Sequence, residues 1–287
     1  MTDRPPADAP PAAPSPSTPA GDRWEDHRTL RTSASPMQVW QAWAEPAHVR
    51  RWFTDDARGE PVPGGELVHV FSRYGIEVTY RVLEAEPGRL LVVEGTSPLG
   101  AAFRQEVRVE REGGETVLHL THSGFGADAG WDDEYEGVDS GWKLALAVLR
   151  LYLEHHFGRD RAGFYVERPA AFDHAALQPL YRTEAGLARW LTTAGSLEGR
   201  AVGDPVRLGL RGGRTLTGRL IADSGRELAL SWDEIGGFLE LKAIDMGPQR
   251  RSLCLRGGGW GMEAAEAAAL ELELEQAMER LAGTLAP

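Results

Sequence analysis

Ile76-Glu77-Val78-Thr79-Tyr80-Arg81-Val82-Leu83-Glu84-Ala85-Glu86-Pro87-Gly88-Arg89-Leu90-Leu91-Val92-Val93 reads as strand, tight turn and strand. Ile76, Val78, Tyr80 and Val82 alternate with Glu77, Thr79 and Arg81, a period of two that puts an apolar set on one face of a sheet and a polar set on the other. Pro87-Gly88 breaks the run, and Leu90 to Val93 starts the return. A connection this short makes the two runs antiparallel neighbours.

The same pattern extends on both sides. Leu67-Val68-His69-Val70-Phe71 precedes it, bounded by Pro63-Gly64-Gly65 and Tyr74-Gly75. Phe103, Gln105, Val107 and Val109 follow on alternate positions, and after Gly113-Gly114 comes a last run from Val117 to His122. These segments predict a curved antiparallel meander. Upstream, an extended segment from Trp24 to Leu30 leads to Ser35-Pro36, a helix-capping serine with proline at the first helical position. Met37, Trp40 and Trp43 recur at helical spacing, and Glu45-Pro46 divides this helix from a second one that closes in Arg51-Trp52-Phe53. Downstream, the Gly-rich and acidic stretch from Gly124 to Gly141 predicts a loop, followed by a long helix from Trp142 to about Phe157, stopped by Gly158. Trp142, Ala145, Leu149 and Leu153 form its buried stripe, and its other faces are also largely apolar, so it is expected in a groove made by the sheet.

The halves of the chain repeat this order at a shift of about 135 to 138 residues. His48-Val49-Arg50-Arg51-Trp52-Phe53 falls on Gly186-Leu187-Ala188-Arg189-Trp190-Leu191, and Ser35 meets Asp173. Pro87-Gly88-Arg89 meets Ser224-Gly225-Arg226, and Gly124-Phe125-Gly126 meets Gly259-Trp260-Gly261. The second copy opens with a strand from Phe164 to Glu167 and closes with a helix from about Met262 to Ala282. The expected organisation is a disordered Pro/Ala-rich tail over 1–22, a first domain over 23–160 and a divergent second domain over 161–287. The fold class is α+β, two helix-grip domains in tandem, each a curved antiparallel sheet around a long C-terminal helix.

Composition narrows the function. The 287 residues carry a formal net charge of −12, which argues against a surface that tracks nucleic-acid phosphates. No apolar stretch reaches the roughly 18 to 20 residues of a membrane span. No secretory signal is present, and Cys254 is a single cysteine, so a reducing cytoplasm is expected.

The motifs of the first half point to a family. Ser35-Pro36-Met37-Gln38-Val39-Trp40, Trp52-Phe53, Pro63-Gly64-Gly65, Val82 to Pro87, Gly114 to Leu118, His122-Ser123-Gly124-Phe125 and Gly141-Trp142 stand in one order over about residues 24 to 158. In this the chain resembles the START-like proteins of the class named after the activator of the heat-shock-protein-90 ATPase. The resemblance implies a helix-grip fold able to enclose an apolar cavity. It also brings three readings of function: binding of a small apolar molecule or lipid, a protein-partner or chaperone-cofactor role, and a cyclase or aromatase type of enzyme.

Of these, the residues favour a non-catalytic ligand binder without cofactor. No Gly-x-Ser-x-Gly occurs, and His122 and Ser123 are strand neighbours whose side chains diverge, so a hydrolytic triad is rejected. His155 and His156 cannot share one ion, and the run Asp132-Asp133-Glu134 with Glu136 and Asp139 reads as acidic charge near a helix start rather than a metal site. Gly257 to Gly261 lacks the lysine of a phosphate loop. Cys254 sits between Leu253 and Leu255 and faces away from them, an ordinary packed thiol. The expected ligand-binding residues are Trp40, Trp52, Tyr80, His122, Phe125 and Trp142, aromatics for a wall and polar tips for orientation. Leu118, Leu120 and His122 share one strand face, expected to turn toward the Trp142 helix. His122 there either orients a ligand or is tied up by hydrogen bonds within the protein. The second copy places Gly257 where His122 stands.

Overall fold

The computed structural model describes residues 23–97, 100–126, 132–245 and 251–285. The tail expected over 1–22 lies outside them. The first half comprises β1 (Arg23–Thr32), α1 (Pro36–Ala44), α2 (Pro46–Trp52), β2 (Asp56–Gly59), β3 (Glu66–Phe71), β4 (Ile76–Glu86), β5 (Leu90–Thr96), β6 (Ala102–Glu112), β7 (Glu115–Gly126) and α3 (Asp132–Leu151), which runs on through a π-helical turn at Tyr152–His156. The second comprises β8 (Arg161–Pro169), α4 (His174–Arg182), α5 (Glu184–Trp190), β9 (Thr192–Ala194), β10 (Pro205–Leu210), β11 (Thr215–Asp223), β12 (Leu228–Trp232), β13 (Gly237–Asp245), β14 (Arg251–Trp260) and α6 (Ala264–Leu285). Each half builds one seven-stranded antiparallel sheet, in the orders β1-β7-β6-β5-β4-β3-β2 and β8-β14-β13-β12-β11-β10-β9. No described helix is long and apolar enough to cross a membrane.

Local chemistry repeats along with topology. Ser35 and Gln38 form a reciprocal capping box on α1, while Asp173 caps α4 by accepting from the Ala175 amide at 3.0 Å. Such caps satisfy backbone donors that have no partner within the helix. The Trp52 indole donates to the Ala42 carbonyl at 2.7 Å, and the Trp190 indole to the Leu180 carbonyl at 2.9 Å. In each half a fully buried tryptophan thus pins the second helix to the first.

Two parts of the sequence reading need correction. β2 and β9 form the far edges of the two sheets, although Asp-Ala-Arg-Gly and Thr-Thr-Ala carry no apolar alternation; pairing along an existing edge, not side-chain burial, makes them strands. The segment read as a loop up to Gly141 is helical from Asp132. Acidic residues favour a helix N-terminus, and Gly141 costs only propensity because open space surrounds its missing side chain.

The surroundings of α3 explain its composition. Trp142, Leu146, Leu149 and Leu153 join the core under the first sheet. Leu144, fully buried, packs against Ala222 and Ala229 of the second sheet, with Ala147 and Ile221 alongside. The helix therefore lies in the groove of its own sheet and is covered on its back by the outer face of the other. Phe238 and Trp260 of the second sheet enter the first core. In the second half, Leu270, Leu274, Met278 and Leu281 of α6 pack with Leu239, Leu241, Leu253 and Leu255 on the inner face.

Between the halves runs a polar seam on the outer face of the second sheet. Lys242 and Glu227 approach to 3.5 Å, and the Ser140 hydroxyl donates to Glu227 at 2.6 Å. Burial pulls the Lys242 pKa down, but Glu227 and Glu240 more than offset this and hold it above the usual lysine value. Arg256 pairs with Glu240 at 3.7 Å and donates to the Phe53 carbonyl at 2.6 Å, and the Trp260 indole donates to the Arg51 carbonyl at 2.8 Å. Cys254 lies on this face, opposite Leu253 and Leu255, where burial pushes its thiol up to about 12.

Truncating Trp52 or Trp190 to alanine is expected to cost about 3 to 5 kcal/mol each, as for large buried aromatics. Denaturant unfolding measures this, and an unchanged midpoint for either would contradict the pinning role. Lys242→Met leaves Glu227 buried without its cation and is expected to destabilise by about 3 to 5 kcal/mol. Adding Glu227→Gln should recover part of that loss, a coupling read by a double-mutant cycle.

Candidate ligand-binding site

The concave face of the first sheet is fixed by its register. Asp26 pairs with His122, His122 with Gln105, Gln105 with Val93 and Val93 with Val82, so these side chains share one face. In the neighbouring row, Phe103 pairs with Gly95, Gly95 with Tyr80 and Tyr80 with Leu67. Gly95 is needed there: an added Cβ would meet the Phe103 ring at 2.8 Å. That ring stands edge-on to Tyr80 at 5.6 Å and to His122 at 5.1 Å.

The helices close the other side. Trp142 stacks on Trp43 at 5.5 Å and on Phe53 at 5.8 Å, and its indole donates to Nδ1 of His122 at 3.1 Å. His69, one strand beyond Tyr80, lies 4.7 Å from that ring. At the opposite margin Arg28 is held by Asp26 at 2.8 Å and by Asp139, and Asp139 also receives Lys143 at 2.7 Å. This cluster clamps α3 onto β1. Burial opposes ionisation of Asp139, but hydrogen bonds from Lys143 and Arg28 outweigh it and hold the carboxyl below its usual range.

Away from that margin the face is uncharged. Desolvation brings both His69 and His122 down to about 4, so both rings are neutral near pH 7. Because Nδ1 of His122 accepts from Trp142, its proton resides on Nε2. Burial raises the Tyr80 hydroxyl well above the usual phenol value. Among the described residues, Tyr80 and Gln105 make no side-chain hydrogen bond. The face thus offers hydrogen-bond donors and acceptors, set in aromatic walls.

The six residues named from sequence separate on this geometry. Tyr80, His122 and Trp142 come together on the concave face. Trp40 donates its indole to the Leu90 carbonyl at 3.0 Å and plugs the end of the sheet near the β4–β5 turn. Trp52 is held by Ala42 behind Trp43 and Phe53. The side chain of Phe125 lies outside the described residues, as do those of Asp132, Asp133, Glu134 and Glu136. His69, Phe103 and Gln105 were not named as site residues, although the period of two already put Gln105 in line with Phe103 and Val107.

The second sheet carries a different pair at the corresponding rung. Gly257 pairs with Phe164, where His122 pairs with Asp26. A Cβ on Gly257 would meet the Phe164 ring at 2.4 Å. One phenylalanine therefore fills the space that the first half gives to a histidine and an aspartate.

The histidines imply a pH dependence. His69, His122 and His156 all lie near 4 in the folded protein, lowered first by burial, against an unfolded value of 6.5. Between these values the unfolded chain binds more protons, so stability falls as pH drops from about 6.5 to about 4. Replacing His122 by glutamine should flatten that dependence in denaturant titrations at stepped pH; an unaltered slope would mean that His122 is not held neutral.

No curated protein sequence matches the chain. Among solved structures, CalU16 from Micromonospora echinospora is 25% identical, with 48% of this chain and 81% of that one covered and a TM-score of 0.39. The Aha1 dimer from Colwellia psychrerythraea is 20% identical over 47% of this chain and 98% of that one, with a TM-score of 0.41. DynU16, from the dynemicin biosynthetic locus, is 18% identical over 91% of this chain and 99% of that one, with a TM-score of 0.42. Residues 33–154, from the residues before α1 into the π-helical turn after α3, match the family described as Activator of Hsp90 ATPase homolog 1-like protein.

Proposed function

We propose that the first half binds a small, uncharged, largely apolar molecule on the concave face of its sheet, against Trp142, with Tyr80, Gln105 and His122 orienting it. One observation carries this reading: polar tips sit on an apolar face with their hydrogen-bonding capacity unspent. Tyr80 and Gln105 make no side-chain hydrogen bond among the described residues, and Nδ1 of His69 is buried without a partner. Leaving the buried His69 nitrogen unsatisfied costs roughly 1 to 3 kcal/mol. A ligand with one or two polar atoms would relieve that cost while its body packs on Phe53, Phe103 and Trp142. Few polar groups in an aromatic surround are the usual make-up of a small-molecule site.

The neutral state of His69 and His122 sets the ligand's character, since neither ring offers a full charge to an ionised group. The outer surface supports ligand binding over a broad protein-docking patch. Among the described residues, the exposed large hydrophobics Met37, Val62, Val202 and Leu272 come from four separate segments, and scattered apolar residues of this kind are ordinary.

Native mass spectrometry of the protein as purified is expected to show a bound compound that is lost on denaturation. The double variant Tyr80→Phe with Gln105→Leu should fold and lose at least about tenfold in affinity for it. Wild-type occupancy in that variant, or in His122→Ala, would sink the reading.

A further inference from the structure

A cavity lies where the halves meet, beyond Phe53 from Trp142. It is a cleft of about 300 Å³, open on one side. Its floor is the outer face of β8 and β14, and its roof is the end of α2 with the β3–β4 turn. Four arginines line it, Arg50 and Arg73 from the first half and Arg161 and Arg256 from the second.

Their partners do not balance them. Arg256 pairs with Glu240 at 3.7 Å, and Arg73 with Glu271 at 3.3 Å. Asp55 also lines the cleft, accepting from the Arg73 amide at 3.4 Å. These three carboxylates face four arginines, which leaves one positive charge unmatched in a chain whose formal net charge is −12. Arg50 and Arg161 are the two without an ion pair among the described residues, and of these Arg50 is exposed while Arg161 is withdrawn from solvent. Arg161 donates to the Thr54 carbonyl at 3.1 Å and lies 5.7 Å from the Phe238 ring centroid. Among the described residues no carboxylate oxygen lies within 4.0 Å of the Arg161 guanidinium. Burial and Arg256 pull its pKa down to about 10, and the more distant carboxylates of Asp55 and Glu240 offset this only in part.

The walls add an apolar side. Phe53, Phe71 and Tyr74 border the space, and Tyr74 stands edge-on to Tyr165 at 5.0 Å. Gly163 opens the floor, since a Cβ there would meet only the Gly257 carbonyl, at 3.5 Å.

We propose that this cleft binds a small organic monoacid, its carboxylate held by Arg161 and its apolar ring lying against Phe53, Phe71 and Tyr74. A planar guanidinium matches a carboxylate with two parallel hydrogen bonds, and one unmatched charge calls for a monoanion. The site shares the Phe53 ring with the concave face but does not depend on the function proposed for that face.

Calorimetric titration of the full chain with benzoate and 1-naphthoate tests the proposal, with 1-naphthamide as the neutral counterpart. Saturable binding of at least one acid is expected, with naphthamide weaker than naphthoate by at least about tenfold. Arg161→Gln should weaken the acid by a similar factor. Gly163→Leu, which fills the floor without backbone strain, should abolish binding at an unchanged unfolding temperature, and it decides the matter alone if Arg161→Gln does not fold. Tyr80→Phe should leave acid binding unaltered, since that residue belongs to the other site. Failure of both acids to saturate at millimolar concentration, equal binding of acid and amide, or wild-type binding by Gly163→Leu would overturn the proposal. Loss of acid binding in Tyr80→Phe would move the acid to the concave face and overturn it as well.

Discussion

Leu144 of α3 rests on Ala222 and Ala229 of one sheet, while Trp142 and Leu149, close by on the same helix, rest on the other. This burial on two sides is the constraint that orders the rest of the molecule. A helix gripping a single sheet needs one apolar stripe and a polar back. Here the back is also covered, and full burial of one leucine contributes about 1.5 to 3 kcal/mol. Small side chains on the second sheet make the close approach feasible, since Ala222 and Ala229 leave room for Leu144 and Ala147. The same contact positions Trp142 over the concave face and so ties the candidate site to the pairing of the halves.

The seam beside this contact is polar, with Glu227, Lys242, Glu240 and Arg256 removed from water in opposite-charge pairs. Such pairs add little net stability over apolar residues of equal size, but breaking one leaves a charge buried alone. Their directional bonds, Ser140 to Glu227 and Arg256 to the Phe53 carbonyl, set one relative placement of the halves. The arginine-lined cleft is a consequence of that placement, since neither half contains its floor and its roof together.

The two sheets show how one scaffold diverges. Asp26 and His122 in the first correspond to Phe164 and Gly257 in the second. Backbone pairing is the same on both rungs, and the leucines that follow, Leu118 and Leu120 against Leu253 and Leu255, keep their packing role. Exchanging an acid and a histidine for a phenyl ring and no side chain turns a polar concavity into plain core. The chemistry of the first half lies in side chains that the fold itself does not require.

Much of this was legible in the residues themselves. The period of two from Leu67 to His122, the capping serine before Pro36 and the order shared by Trp52 and Trp190 depend on neighbours in sequence or on a simple repeat, so local geometry determines them. The meander, the repeated topology and the shared face of Leu118, Leu120 and His122 follow from that. What lay beyond reach depended on distant partners. Edge pairing made β2 and β9, and the start of α3 at Asp132 was hidden by glycines that read as loop. Trp40 and Trp52 carry the same aromatic signature as Trp142, and only their hydrogen bonds to Leu90 and Ala42 reveal them as anchors of the helices. The sequence alone determined which faces are apolar, because alternation and helical spacing are local properties. Only the tertiary structure decided what covers those faces, because the partner of α3's back and the unmatched charge of Arg161 arise where segments far apart in the chain are brought together.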